Sequence, residues 1–143
     1  TIGDIVSGVV SQKLQSRKKS LVLFLLLALL FVVGYFTIAK NSVVMFYTVV
    51  VLIGFATGYW AVFISTASEL FGTNLRATVT TSVPNFVRGG TILITTLFQY
   101  FSKIESIGNI YSAIIVGLIV FALGFWAWYR LDETFHKDLN YTE

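Results

Sequence analysis

Cysteine is absent from this chain of 143 residues, and histidine occurs once, at position 136. Disulfides and thiolate chemistry are therefore excluded, and neither a histidine-rich metal site nor a Ser-His-Asp triad is supported. We expect no metal and no other cofactor, and we do not expect an enzyme.

Charge is also scarce, at 12% of the residues against roughly 25% in a soluble domain. Three long stretches carry no charge and a fourth carries only Arg88; they are residues 20–39, 41–68, 106–129 and 77–102. Each is as long as the roughly 18–20 residues that cross an apolar bilayer core of about 30 Å. The sequence therefore predicts an all-α integral membrane protein, and runs this long argue against a transmembrane barrel.

The expected organisation is four full transmembrane helices plus the end of a fifth helix. In chain order we expect a helix end at 1–10, a cytoplasmic loop at 11–19, transmembrane helices at 20–39, 43–68, 77–101 and 110–129, and a cytoplasmic tail at 130–143. The chain starts with Thr1, and its one methionine is Met45. We therefore expect a piece of a longer protein.

The basic residues predict the orientation in the membrane. Seven lie on one side, namely Lys13, Arg17, Lys18, Lys19, Arg76, Arg130 and Lys137, and two lie on the other, Lys40 and Lys103. Short loops rich in Lys and Arg stay in the cytoplasm, so we expect a cytoplasmic C-terminus in a bacterial inner membrane. Topology also explains the net charge of +3, and we expect no nucleic-acid partner.

The first of three motifs on the basic side lies at residues 8–19, a glycine followed by a basic run. It resembles the Gly-x-x-x-Asp-Arg-x-Gly-Arg-Arg loop between the second and third helices of each half of the major facilitator superfamily of secondary transporters. Gly8 matches the glycine, Lys13 replaces the arginine, and Arg17 and Lys18 keep the terminal bases. Glutamines replace the aspartate and the second glycine, as Gln12 and Gln15. Such degeneracy is common in the C-terminal half of that family.

The second motif is similar to the family's Glu-x-Phe-Pro-x-x-x-Arg loop before the eleventh helix. Glu69 and Arg76 match it, and Gly72 replaces the proline. The third motif, at 132–134 and 137–139, looks like the Pro-Glu-Thr-x-x-x-x-Leu tail after the last helix, with aspartate in place of proline. The resemblance covers nearly the whole chain and implies the end of helix eight through helix twelve of a 12-helix fold.

The resemblance implies secondary active transport, as a symporter or antiporter that moves a small solute by alternating access. The missing N-terminal half of the same chain would supply the other wall of the cavity. A cytoplasmic gating loop would be formed by Lys13, Arg17, Lys18, Glu69 and Arg76. Opposite charges on neighbouring loops would hold it closed and release when the halves rock apart. Alternatively, the bases are topology anchors and the loop charges lie in headgroup water.

Arg88 is the most informative single residue. It follows Arg76 by twelve residues, or about 18 Å of helix, which places it near the middle of the bilayer core. An arginine there costs at least about 2.5–3.5 kcal/mol, too much to face lipid. It shares an arc of roughly 140° with other polar residues, which are Thr78, Thr81, Asn85, Thr91, Thr95, Gln99 and Ser102.

This polar stripe predicts a helix that faces the bundle interior or a water-filled path. Its candidate substrate-binding or cavity-lining residues are Arg88, Asn85, Thr81, Thr95 and Gln99. Three readings of Arg88 stay open. It contacts an anionic group of the solute, it pairs with an acid on an absent helix and has a structural or gating role, or it lies at another depth than mid-membrane.

Three further residues complete the candidate site. Pro84 removes a backbone donor from the predicted third span and so predicts a helix break, as at many transporter binding sites. Tyr59 and Trp60 lie near mid-depth of the second span and are candidates to line the cavity. Aromatic side chains that only pack or face lipid are the commoner alternative.

A competing function is a self-contained four-helix membrane module, either a small dimeric exporter or a membrane assembly subunit. Such exporters generally need a carboxylate within the membrane, and none lies mid-span here. An intramembrane enzyme would need a His, Cys or paired-carboxylate constellation at depth, which is also lacking. The expected partners are therefore a small solute, anionic in one reading, the lipid bilayer and the missing half.

Overall fold

The computed structural model describes residues 1–137, so Asp138 and Leu139 of the third motif lie outside the described residues. This part of the chain is all-helical, in agreement with the predicted class. Its six helices are α1 Ile2–Lys13, α2 Arg17–Thr37, α3 Val43–Ala56, α4 Trp60–Glu69, α5 Thr73–Ser102 and α6 Gly108–Arg130. Two 3-10 turns separate some of them, at Ala39–Asn41 and Thr57–Tyr59.

The first two helices are longer than expected, because most of the predicted 11–19 loop is helical. Only residues 14–16 connect α1 to α2. Gln15 has a positive φ of 47°, and Ser16 is extended, with φ −157° and ψ 119°. The Ser16 hydroxyl accepts a hydrogen bond from the Lys19 N–H at 3.0 Å, so it caps α2. The basic run therefore forms the first turn of α2.

Three segments are long and apolar enough to cross a membrane, one fewer than the four predicted spans. They are Arg17–Asn41, Val43–Glu69 and Gly108–Arg130, with mean hydropathies of 2.9, 1.9 and 2.3. The remaining long helix, α5, has 30 residues, which is ample length. Its threonines, Asn85, Arg88 and Gln99 lower its mean hydropathy, and α5 is not among the three segments.

The helix break lies in the second span and not at Pro84. We expected the proline to interrupt its helix, but α5 (Thr73–Ser102) continues through Pro84. A proline can be kept in a membrane helix when local adjustments satisfy the freed backbone groups. The second span instead divides into α3 and α4 at the 3-10 turn Thr57–Tyr59.

Helix α1 crosses the second span at this turn. Gly3 and Gly58 lie backbone against backbone: a Cβ on Gly58 would overlap the Gly3 backbone, and a Cβ on Gly3 would overlap the Phe55 carbonyl. The Ser7 hydroxyl donates to the Gly58 carbonyl at 2.6 Å, and the Ser20 hydroxyl donates to the Ser7 carbonyl at 3.0 Å. Small residues thus allow close approach, and hydroxyls satisfy backbone groups at the break.

The best-packed part of the fold lies where α1, α2 and α4 meet. Its buried side chains are small or hydroxyl-bearing apart from one aromatic ring; they include Ser7, Ser11, Ser20, Phe24, Val62 and Thr66. Helix α5 contacts α4 and α6 but has no buried residue. The apolar face of α5 is therefore partly covered, at half-buried residues such as Val79, Val83 and Phe98, whereas Arg88 and most of its polar face are exposed in the described part of the chain.

Candidate functional site

An ion pair joins the start of α2 to the end of α4 at the basic end of the molecule. Arg17 Nη2 lies 2.9 Å from Glu69 Oε1, and Arg17 Nε lies 3.3 Å from each carboxylate oxygen. The two side chains are only 16% and 12% exposed. Because the guanidinium grips both oxygens and water is largely excluded, this is a strong, charge-assisted contact.

Helix α1 and the segment after α6 close around this pair. Arg17 Nη1 donates to the Ser11 hydroxyl at 3.0 Å, and the Phe135 ring centroid lies 5.3 Å from Arg17 Cζ. The Thr134 hydroxyl donates to Glu69 Oε2 at 2.6 Å. Four parts of the chain therefore meet at one arginine–glutamate pair, which we call the ionic clasp (Ser11, Arg17, Glu69, Glu133, Thr134 and Phe135).

Glu133 attaches the tail to the start of α2. It accepts hydrogen bonds from the Ser16 hydroxyl and from the backbone N–H groups of Arg17 at 2.9 Å and Lys18 at 3.4 Å. Partial burial raises the pKa of Glu133, but hydrogen bonds from Ser16 and the backbone of Phe135, Arg17 and Lys18 together lower that pKa below its usual value. A carboxylate at the positive end of a helix is favoured by the helix dipole.

Lys18 links α2 to the end of α6. Its Nζ donates to the Leu131 carbonyl at 2.7 Å and the Tyr129 carbonyl at 3.1 Å. The Trp128 indole N–H donates to the Lys18 carbonyl at 2.9 Å. Of the predicted gating residues, the structure therefore brings Arg17, Lys18 and Glu69 together with the tail.

The other two predicted gating residues lie apart from the clasp pair. Arg76 donates to the carbonyls of Ser68 at 3.2 Å and Phe71 at 3.4 Å, so it braces the turn between α4 and α5. Lys13 is the last residue of α1 and lines a shallow groove that also reaches Arg17. Glu69 is thus paired with the basic residue of α2 and not with the arginine of its own motif.

The predicted polar stripe forms one exposed face of α5. Arg88 Nη1 donates to Asn85 Oδ1 at 3.4 Å, and Asn85 Nδ2 donates to the Thr81 carbonyl at 3.2 Å. The Thr95 hydroxyl donates to its own helix, at the Thr91 carbonyl. Within residues 1–137, Arg88 has no ion-pair partner. The guanidinium is therefore open to a partner from outside this part of the chain.

The aromatic candidates and Gln99 do not join that group around Arg88. Tyr59 lines an apolar cavity between α2, α4 and α6, to which α5 contributes no lining residue. Trp60 is 38% exposed and its ring lies 5.6 Å from that of Phe63. Gln99 is exposed on α5, and its carbonyl accepts from the Ser102 hydroxyl at 3.1 Å. Tyr59 and Trp60 thus lie on other elements than Arg88, and Gln99 lies eleven residues further along α5.

Sequence reasoning missed some residues of the clasp. Glu133 and Thr134 entered only as a match to a motif, although Glu133 accepts from the start of α2 and Thr134 donates to Glu69. Ser16 carries a usable signal, because a serine directly before a helix is a preferred N-cap. Trp128 carries none, because nothing in an apolar run shows which indole will reach another helix.

Comparisons of this chain with protein-family models, with curated proteins and with solved structures gave no match. Within residues 1–137, no three His, Asp or Glu side chains cluster as metal ligands would. What the arrangement offers chemically is a multi-point ionic contact at one end and an accessible guanidinium at the middle of a long helix. Function is therefore inferred from these two features.

Proposed function

We propose that this chain is part of a secondary active transporter that moves a small anionic solute across a membrane by alternating access. The observation that carries the proposal is Arg88, which lies on an uncovered polar face at the middle of a membrane-length helix. The length and apolarity of Arg17–Asn41, Val43–Glu69 and Gly108–Arg130 support a location within the membrane.

The position of Arg88 supports a fourth crossing by α5. A helix of 30 residues is about 45 Å long, and Arg88 lies about 22 Å from the Thr73 end. Facing lipid there costs several kcal/mol, so the polar face must meet water or protein. A low mean hydropathy is therefore what a helix beside a water-filled solute path requires. We propose that the other half of the transporter forms the opposite wall of that path.

The chemistry of the guanidinium favours an anionic solute. Its planar fork binds a carboxylate or phosphate through two parallel hydrogen bonds, and Asn85 holds one of its nitrogens at 3.4 Å. The amide and hydroxyl groups along the same face add neutral donors and acceptors. Such a face can bind a hydrated solute and release it again.

The ionic clasp would close the cytoplasmic end. It joins α2, α4 and the tail through opposite charges, whose attraction is strong when water is excluded and weak when water enters. Rocking of the helices against one another would hydrate Arg17 and Glu69 and so favour release. The seven-to-two distribution of basic residues supports the cytoplasm as the side of the clasp.

The test is uptake by the full chain, as the cell makes it, in proteoliposomes with a panel of small anionic and neutral solutes. We expect Arg88→Lys to raise KM for the transported anion about 10- to 100-fold, because one charge-assisted hydrogen bond is lost. Arg88→Ala should abolish uptake while the protein still inserts. Arg130→Lys, the same change at an exposed arginine at the end of α6, is the matched control.

Two outcomes would contradict this proposal. An unchanged KM in Arg88→Lys together with a strongly destabilised Arg88→Ala would make Arg88 half of a structural ion pair. Uptake by residues 1–143 alone in liposomes would favour the self-contained module, such as a dimeric exporter, because half of an alternating-access cavity has no second wall.

A further inference from the structure

A second cavity lies away from the polar face of α5. It has a volume of about 300 Å³ and lies between α2, α4 and α6; its lining residues include Leu21, Leu25, Ala67, Leu70, Trp128 and Leu131. The lining is almost entirely apolar. The space exists because Ala67 of α4 and Gly124 of α6 are small residues.

The cavity extends from the middle of the second span to the end that carries the clasp. Tyr59 lies beside the break at mid-span, and Leu70 follows directly after α4. The ten residues of α4 between them measure about 15 Å. In a bilayer, this cavity would therefore run from the apolar centre to the headgroup level on the basic side.

Two lysine ammonium groups bind the backbone at the rim of the cavity. Lys18 Nζ donates to the Leu131 carbonyl at 2.7 Å, and Lys137 Nζ donates to the Leu70 carbonyl at 3.4 Å. Lys18 also lies 5.3 Å from the Trp128 ring centroid. Within residues 1–137, both acceptors of Lys18 Nζ are neutral carbonyls, so its charge is not neutralised by a carboxylate of this part of the chain.

We propose that this cavity is a binding site for an anionic phospholipid of the cytoplasmic leaflet, with one acyl chain inside it and the phosphate at Lys18. The size of the cavity favours a lipid chain over a helix of a second copy. A helix with its side chains is about 10 Å across, so 15 Å of helix occupies about 1,200 Å³, far more than the cavity provides. An apolar shaft that opens at a cationic rim matches a phospholipid in both parts.

The lipid's charge, and not its chain, determines selectivity at this site. An acyl chain that moves from the bilayer into the cavity exchanges one apolar environment for another, so it gains little. A lysine near the surface is worth about a fivefold preference for an anionic headgroup, so Lys18 alone sets the expected preference at about fivefold. The inference rests on the proposal that these helices span a bilayer, and it does not depend on solute transport.

The experiment measures lipid binding to the full chain purified in detergent, by native mass spectrometry and by the rise in Tm on lipid addition. Phosphatidylglycerol and phosphatidylcholine with identical acyl chains are the two probes. We expect phosphatidylglycerol to bind about fivefold more tightly. Lys18→Gln should reduce that preference about fivefold, whereas Lys19→Gln, an equal loss of charge at the next, exposed position, should leave it unchanged.

A cavity-filling variant tests the acyl-chain part independently of the rim. Ala67→Phe should weaken binding of both lipids, because the ring occupies the space of the chain. Equal binding of the two lipids by the unaltered chain would overturn the proposal, as would unaltered lipid binding in Ala67→Phe. A dimer that disappears in Ala67→Phe would assign the cavity to a second copy instead. Solute uptake is not read out here, so failure of this test leaves the Arg88 test untouched.

Discussion

Removing the carboxylate of the ionic clasp should destabilise the folded chain more than the same change at the surface. Glu69→Gln keeps the shape of the side chain and one acceptor oxygen but deletes the charge opposite Arg17. Glu105→Gln is the matched control, because Glu105 is an exposed acid in the connector between α5 and α6. The comparison isolates the clasp from the chemistry of the substitution.

The expected magnitude follows from the contacts of the pair. Glu69 accepts from Arg17 at 2.9 Å and from the Thr134 hydroxyl at 2.6 Å. Hydrogen bonds to charged groups contribute about 1.5–3 kcal/mol. An unpaired buried charge costs about 3–5 kcal/mol, and the 16% exposure of Arg17 moderates that cost. We therefore expect Glu69→Gln to lose about 2–3 kcal/mol of unfolding free energy and Glu105→Gln to change it by less than about 0.5 kcal/mol.

A double-mutant cycle with Arg17→Gln measures the pair itself. The free energy of unfolding is obtained by denaturant titration in mixed micelles for the parent, both single variants and the double variant. We expect a coupling energy of about 1.5–3 kcal/mol, because the double variant leaves no buried charge unpaired. A coupling below about 0.5 kcal/mol would refute the reasoning, since that value is typical of a solvated surface pair.

Three further predictions test other parts of the structure. Gly58→Ala should cost about 1–3 kcal/mol, because its Cβ would overlap the Gly3 backbone, whereas Gly54→Ala, with nothing within 4 Å of the added atom, should be tolerated in the same thermal melts. Because the pKa of Glu133 is lowered from 4.5, the ionised carboxylate stabilises the folded chain above that pH, and this stabilisation is lost as pH falls through the folded-state pKa. Measurements of Tm at decreasing pH should show this loss, and it should be absent in Glu133→Gln. A reporter fused after Glu143 should be active only in its cytoplasmic form, and activity of a periplasm-dependent reporter there would reverse the proposed topology.

The order of the long helices could be predicted because it depends on local composition. Apolar runs flanked by charge indicate membrane-length helices, and the structure has helices in all five predicted places. The helix α2 begins at Arg17 and not at Ser20, because charged residues can form the first turn of a helix. The basic residues 17–19 form the first turn of α2 under the cap of Ser16, which composition alone does not show.

The helix break could not be placed from the sequence, because tertiary contacts decide it. Proline predicts a break by a local rule, yet α5 continues through Pro84. The observed break at Thr57–Tyr59 depends on the approach of α1, with Gly3 against Gly58 and a hydroxyl that satisfies the freed carbonyl. The hydrogen bond from Ser7 to Gly58 pairs residues 51 positions apart, and neither residue reveals its partner by itself.

The clasp was predictable as a set of charges but not as a set of pairs. Opposite charges near one end of the molecule suggest contact, and the Arg17–Glu69 pair has the expected sign. The choice of Arg17 over Arg76 depends on the packing of α2 against α4. Arg76 instead donates to two carbonyls of its own turn, which satisfies orphan acceptors at the end of α4.

The polar face of α5, which the other long helices lack, supports the proposal that this helix lines a solute path. A helix that only anchors a protein in lipid gains nothing from an arginine and a row of hydroxyl and amide groups, and it bears the cost of each. In α5 these groups share one face over a length sufficient to cross the bilayer, while the opposite face is apolar. Mean hydropathy averages the polar and apolar faces of a helix, so its value for α5 is lower than for the three apolar segments. The separation of polar from apolar residues around the axis is what a wall between lipid and an aqueous solute path requires.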